Sequence, residues 1–456
     1  MSFERPRRFS CLLLAGILLP SALWSQQSNP VLDVVRAFES VGKLDLWPGY
    51  RPDTVPLAIY DGQRTWLVHH PSPPNGFSPS AAGSDILVME GRHPEVTANS
   101  SAQIGGRLTA TLIPNFGTRP AMAWAAVAAH EAFHAYQRAT HPTWAANEAN
   151  LFTYPWNNVE ALSLRRLEFD ALRRALTAAD PRAQGCFASL AMTQRKERFR
   201  LMGPDAATYE TRNELNEGLA QYIQDKAAGA SALERMPTEE FPPDGVRDRV
   251  YRSGSAMGQI LDRLDPTWRR QLEQGDSSLT LQKVLEEAAT RAEAGAPSTC
   301  AQDRSFAVKE RMRAKTDIAS LTTRLAAERR KVITRPGWSV VIDASQGPLG
   351  LAGFDPLNVS RLTTTDILHR RYVKLGNAGG EMEAIDREVL TIGVGPHPLF
   401  NGVKRVLITG LPERPVLDDS VGVVALHIGE VKVKFTGATL KRSGRQMEIH
   451  LAAPTH

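Results

Sequence analysis

The sequence predicts an α+β chain of several domains, with a mostly helical middle followed by a C-terminal β-sandwich or barrel-like domain. Three observations predict it. At 456 residues the chain exceeds what one ordinary core serves. From Pro120 to about Gly295 the text is rich in helix formers with helical spacing of apolar residues. After Pro336-Gly337 it changes to short β-rich runs separated by turn residues. Apolar residues make up 42% of the chain and charged residues 23%, the balance of a globular protein.

In chain order, residues 1–25 read as a signal peptide. Arg5, Arg7 and Arg8 form a positive start, and Cys11 to Trp24 an apolar stretch too short, and too broken by Pro20, for a spanning helix. Residues 26–118 are a mixed, β-containing region. Val55 to Tyr60 and Thr65 to His69 flank an Asp61-Gly62 turn and read as a hairpin. Leu108 to Ile113 reads as a strand stopped by Pro114. Residues 119–300 form the helical region. Pro120 suits a first helical turn, and helices are expected up to about Thr140, over Trp156 to Ala178, Phe187 to Met202, Ala206 to Ala228 and Tyr251 to Leu264. Residues 301–335 hold a charged connecting helix. Residues 336–456 hold the β domain, with runs at Trp338 to Ile342, Val406 to Ile408, Val421 to Ile428, Val431 to Phe435 and Met447 to Leu451.

The formal charge is +5, of which Arg5, Arg7, Arg8 and Glu4 supply +2 in the segment expected to be removed. No dense basic block remains, so no nucleic-acid partner is expected. No later segment is apolar and long enough to span a bilayer, so no stable membrane span is expected after signal cleavage. The chain is expected to be secreted or periplasmic. There Cys186 and Cys300 could pair, although sequence cannot bring their Cα atoms within reach of each other.

The chemistry concentrates in His130-Glu131-Ala132-Phe133-His134. Histidines four apart on a helix share a face and can bind one ion. Glu131 points elsewhere, so it can reach a water at that ion without ligating it and act as general base. This is the HExxH pattern of zinc metallopeptidases. A third protein ligand is required. Glu160, Glu168, Glu214 and Glu217 are the candidates, and the ordinary state of such helical carboxylates is pairing with arginines such as Arg195 or Arg198. His69, His70, His93 and His141 are isolated and read as ordinary surface or core histidines.

Asn216-Glu217-Gly218-Leu219-Ala220 resembles the NEGFA-type segment of gluzincin aminopeptidases, and Tyr251-Arg252-Ser253-Gly254 resembles their downstream YxxG segment. Here more than eighty residues separate His134 from Glu217, against a short gap in those enzymes. The resemblance covers about Arg119 to Leu264. It implies a zincin-like domain in which Glu217 completes a Zn2+ site with His130 and His134, and Tyr251 donates a hydrogen bond to the oxyanion. It also implies that Leu108 to Ile113 is the sheet edge along which an extended peptide or protein substrate lies. The expectation is therefore an exported, zinc-dependent peptidase. The alternative is an exported binding or structural protein with a non-catalytic peptidase-like domain.

Overall fold

The computed structural model describes residues 29–236, 241–294, 300–356, 358–420 and 423–453, so the expected signal peptide and Val421 lie outside the described residues. The chain is of the α+β class, with eleven α-helices, three mostly antiparallel sheets and a C-terminal β-rich region among the described residues.

The first described element is a helix where the sequence reads as mixed and turn-rich. In α1 (Pro30–Val41) the Asn29 side chain accepts from the Val31 amide at 2.9 Å, and Pro30 suits the first turn. Val31, Val34, Val35, Phe38 and Val41 recur at helical spacing and are buried. A sheet follows, made of β1 (Leu57–Tyr60), β2 (Arg64–Val68), β3 (Ser78–Ser80), β4 (Gly83–Glu90), β5 (Ser100–Ile104) and β6 (Arg107–Leu112), in the order β3-β4-β2-β1-β6-β5. The expected hairpin is β1–β2. Its turn is held by Asp61, whose Oδ1 accepts from the amides of Gln63 and Arg64 at 2.8 and 2.7 Å, and by Gly62 at φ 101°.

One expectation is corrected here. The strand read at Leu108 to Ile113 is not a sheet edge: β6 pairs with β1 on one side and with β5 on the other. The edge is β5 (sequence SSAQI), folded back onto β6 across Gly105-Gly106, both at positive φ. Its polar composition hid it from pattern reading.

Helix α2 (Ala121–Thr140) packs against α1, against β6 and against the later helix Leu219–Ala228. Ala125, Ala126, Ala128, Ala129 and Ala132 are fully buried, so its alanine richness serves close approach on several sides as well as helix propensity. It is followed by α3 (Val159–Thr177), α4 (Pro181–Met202), α5 (Pro204–Asn213), a π-helical turn at Glu214–Gly218, α6 (Leu219–Ala228), α7 (Ala232–Arg235), α8 (Val246–Leu264), α9 (Trp268–Gln274) and α10 (Leu281–Glu293). The expected helix from Ala206 to Ala228 is thus a helical run with a π turn inside it. The sheet and these helices share one core, from Val31 and Leu57 through Phe133 and Tyr222 to Leu285. Cys186 and Cys300 are joined by a disulfide, with Cα atoms 5.8 Å apart.

Helix α11 (Arg304–Ile333) is the charged connector. Near its middle Asp317 accepts from Arg166 of α3 at 2.6 Å, and near its C-terminal end Arg329 donates to Asp366 of the β region at 2.6 Å. Beyond it lie a seven-stranded and a six-stranded sheet. Val340, Ile342 and Val406 of the first and Val373, Met382 and Phe435 of the second belong to one buried cluster, so the two sheets face each other. The strand Val431–Thr436 shows why: Val431, Val433 and Phe435 are buried while Lys432, Lys434 and Thr436 are exposed.

Candidate metal centre

Helix α2 places His130 and His134 one turn apart, with ring centroids 4.8 Å apart and nearly perpendicular planes. Their Nε2 atoms are separated by 3.2 Å. The Glu217 Oε2 lies 3.1 Å from Nε2 of His134 and 3.7 Å from that of His130. Three ligand atoms, two imidazole nitrogens and one carboxylate oxygen, therefore converge from α2 and from the π turn, and the triad can hold a metal ion. The Nδ1 of His130 is buried and has no hydrogen-bond partner among the described residues.

What brings Glu217 to α2 across the chain is close backbone packing. Gly218 of the π turn and Gly254 of α8 touch directly: a Cβ on Gly218 would lie 2.8 Å from the Gly254 Cα, and one on Gly254 would lie 2.5 Å from the Gly218 Cα. The glycines of the two segments singled out in the sequence are thus the contact between them. Gln137, one turn beyond His134, adds a second tie. Its Oε1 lies 2.9 Å from Nδ1 of His134, and its Nε2 donates to the carbonyls of Leu215 and Asn216 at 2.9 and 3.0 Å. One side chain so orients His134 and grips the turn that carries Glu217, as a partner behind two candidate ligands would.

Arg247, one turn before Tyr251 on α8, donates to the other Glu217 oxygen, Oε1, at 2.8 Å and to Glu148 Oε1 at 2.5 Å. Burial pushes the Glu217 carboxyl up, but His134, His130 and Arg247 outweigh it and hold its pKa well below the usual carboxylate range. Burial pulls the His134 imidazolium down, yet the Glu217 carboxylate prevails and raises its pKa to about 9. Glu131 is buried beside the triad. Burial raises its pKa, against the opposing pull of His130 and His134. The Tyr251 ring stacks on that of His130, centroids 6.0 Å apart and planes 7° from parallel. Burial and then the Glu217 carboxylate raise the pKa of its phenol, which stays protonated.

The structure thus gathers His130, Glu131, His134, Glu217 and Tyr251 and leaves the three rival carboxylates elsewhere. Glu160 is on the surface, accepting from Arg311 at 2.7 Å. Glu168 and Glu214 are buried among arginines: Arg195 Nη1 donates to them at 2.8 and 3.0 Å. Among the other histidines, His141 stacks on Trp144 with centroids 4.0 Å apart, and His70 meets the Ile104 carbonyl at 2.9 Å. A second group, Asp343, Glu448 and His450, lies half-buried on the β region and is the ordinary chemistry of a polar surface.

Sequence reading missed Gln137, Arg247 and Glu148. The signal for the first two was helical spacing, since each lies one turn from a residue already singled out. Comparison with protein-family models, with curated proteins and with solved structures found no match to this chain. Among the described residues no helix is long and apolar enough to cross a membrane.

Proposed function

We propose that the chain is an exported zinc-dependent peptidase of gluzincin type, with a zincin-like catalytic domain. The observation that carries this reading is the ligand triangle. Zinc bonds to nitrogen and oxygen of roughly 2.0–2.2 Å at tetrahedral angles put neighbouring ligand atoms about 3.3 Å apart. The three edges here are 3.1, 3.2 and 3.7 Å. Two imidazole nitrogens and a carboxylate oxygen are a donor set that suits zinc, which binds once His134 gives up its proton, and the disulfide between Cys186 and Cys300 supports an oxidising compartment.

In this reading His130, His134 and Glu217 hold the ion. Bound zinc supplies a Lewis acid that polarises a carbonyl and makes water acidic. Glu131 accepts the proton from the attacking water as its oxygen bonds to the peptide carbonyl carbon. It then returns that proton to the nitrogen as the C–N bond breaks. Tyr251 donates a hydrogen bond to the oxygen on which negative charge develops. An extended peptide can add to the sheet edge at β5.

The test is metal analysis of the purified protein together with Glu131→Gln assayed on a mixed peptide library. About one zinc per chain in both proteins, with cleavage in the unaltered one alone, is the expected result. Cleavage retained by the variant would sink the mechanism. Metal without cleavage in either protein would leave a non-catalytic, metal-holding binding protein.

A further inference from the structure

The metal ligands all come from the helical region, yet one ligand oxygen is tied to the β region through a short chain of contacts. Its middle is the 3-10 turn Glu148–Phe152, started by Asn147, whose Oδ1 accepts from the Ala149 amide at 3.1 Å. The C-terminal end of that turn is sunk into the β region. Phe152 is buried within the β core and packs on Phe354 and Phe400 with centroids 5.8 and 5.7 Å away. The Arg361 guanidinium donates to the carbonyls of Phe152 and, at 3.1 Å, Tyr154. His397 Nδ1 lies 3.4 Å from the Ala149 carbonyl. Half-buried, Arg361 spends its charge on backbone carbonyls, and burial lowers its pKa. Such an arrangement fixes a main chain more firmly than it stabilises a cation.

The N-terminal end of the turn reaches the metal centre. Glu148 takes one amino group of Arg247 at 2.5 Å, and Glu217 Oε1 takes the other at 2.8 Å. Glu148 also accepts from the Tyr209 hydroxyl at 3.3 Å. Arg247 and Arg361 both line one cavity of about 150 Å³, which Leu151 and Phe152 of the turn line as well. The consequence is geometric. A guanidinium prefers to grip a carboxylate with both arms. Held by Glu148, Arg247 gives only one arm to Glu217 and leaves Oε2 facing the two imidazoles.

We propose that the β region acts as a positioning element of the metal centre. By clamping the Glu148–Phe152 turn it keeps Glu148 on Arg247, and so keeps Glu217 Oε2 free to ligate. Glu148, Arg247 and Arg361 are positioning residues. This rests on the metal-centre reading and not on peptidase activity, so the test is metal binding itself.

The full chain, stripped of metal, is titrated with Zn2+ against a chromogenic chelator and with Co2+ by its visible absorption. Glu148→Gln and Arg361→Ala should each weaken Zn2+ binding roughly 10- to 100-fold, as loss of an outer partner of a ligand does, and should alter the Co2+ spectrum. Arg371→Ala removes an exposed pair with Asp386 in the same β region and should leave both unchanged. Glu148→Gln is isosteric and partly exposed, so it keeps the test alive should Arg361→Ala fail to fold. Wild-type affinity and spectrum in a folded Glu148→Gln would overturn the proposal. So would a folded Arg361→Ala that binds like the unaltered chain. No binding by the unaltered chain would remove the metal centre itself, and this inference with it. Binding without peptide cleavage would remove only the peptidase.

Discussion

The helical region and the β region hold their interiors together by different means. Behind the candidate metal centre, Glu168, Glu210 and Glu214 meet Arg195, Arg198 and Arg249, and every one of the six is buried. Arg198 donates to Glu168 and to Glu210 at 2.9 Å each, Arg249 pairs with Glu210, and the Ser253 hydroxyl donates to Glu214 at 2.6 Å. In the β region the interior is apolar. Among its described residues the buried polar side chains are Asp366, His369, Thr391 and Thr409. Buried ion pairs are poor sources of net stability, because desolvation cancels most of their attraction. What this cluster does is local. Glu214 belongs to the π turn that carries Glu217, and Arg249 lies between Arg247 and Tyr251 on α8. The two elements that reach the metal centre from one side are pinned by charges on the other. The interior of the β region has no such charge network, and alternating apolar side chains fill it.

The largest test of that contrast is Glu210→Ala. Arg198 and Arg249 would lose their shared carboxylate inside a water-excluded core, a change that costs about 3–5 kcal/mol. Burial pushes the Glu210 carboxyl up, yet the two guanidiniums hold its pKa well below the usual range, so the pairing is already won in the folded state. Urea unfolding followed by hydrogen exchange should show the helical region losing this amount while β-region amides keep their protection. Replacing Glu210 and Arg249 together with apolar residues of similar size should recover much of the loss. A cost below about 1 kcal/mol for the single change would show that the cluster is relaxed and holds nothing in place.

The β region should break differently, through one neutral group. His369 is buried, its Nε2 3.1 Å from the Thr391 hydroxyl, and burial lowers its pKa from 6.5 to about 3. The folded form therefore refuses a proton that the unfolded chain accepts. The stability this confers is complete above pH 6.5 and is lost as pH falls toward 3. The slope approaches about 1.4 kcal/mol per pH unit, so about 2 kcal/mol is gone by pH 5. His369→Leu should flatten that part of the profile, and Thr391 would still donate to the Ile367 carbonyl at 3.3 Å. Hydrogen exchange of β-region amides at several pH values reads it directly. An unchanged slope in the variant would assign the acid loss to other groups.

What sequence made legible follows from range. The His130/His134 face was readable because four residues of helix fix it locally, without help from the fold. The alternation of Val431–Thr436 was equally local. Glu217 was reachable only through resemblance, since nothing local says that a turn 83 positions later returns to α2. The π turn at Glu214–Gly218 was invisible because no local pattern marks it, and the close approach of Gly218 to Gly254 that accompanies it is tertiary. Gln137 lay on a correctly read helix, whereas Arg247 falls in the first turn of α8, which starts at Val246 and not at Tyr251 as expected; what each binds comes from elsewhere in the chain. Strand β5 failed for a different reason: its residues are too polar to signal a strand, and pairing across Gly105-Gly106 decides its state.

The smallest expected effect isolates burial as the variable. Arg311 and Glu160 make the same guanidinium–carboxylate contact as Arg195 and Glu168, at 2.7 against 2.8 Å. The first pair is 66% and 49% exposed, the second 0% and 1%. Water already solvates the surface pair, and holding two long side chains in one geometry costs entropy, so Arg311→Ala should change stability by about 0–1 kcal/mol. That small effect should shrink further in high salt, which screens exposed charges and reaches buried ones poorly. Arg195→Ala, measured beside it, should cost several-fold more and respond little to salt, because Glu168 and Glu214 would be left without their shared partner inside the core. Equal effects for the two variants would mean that the interior behind the metal centre is wet. Its charges would then fix the π turn no better than a surface pair fixes anything.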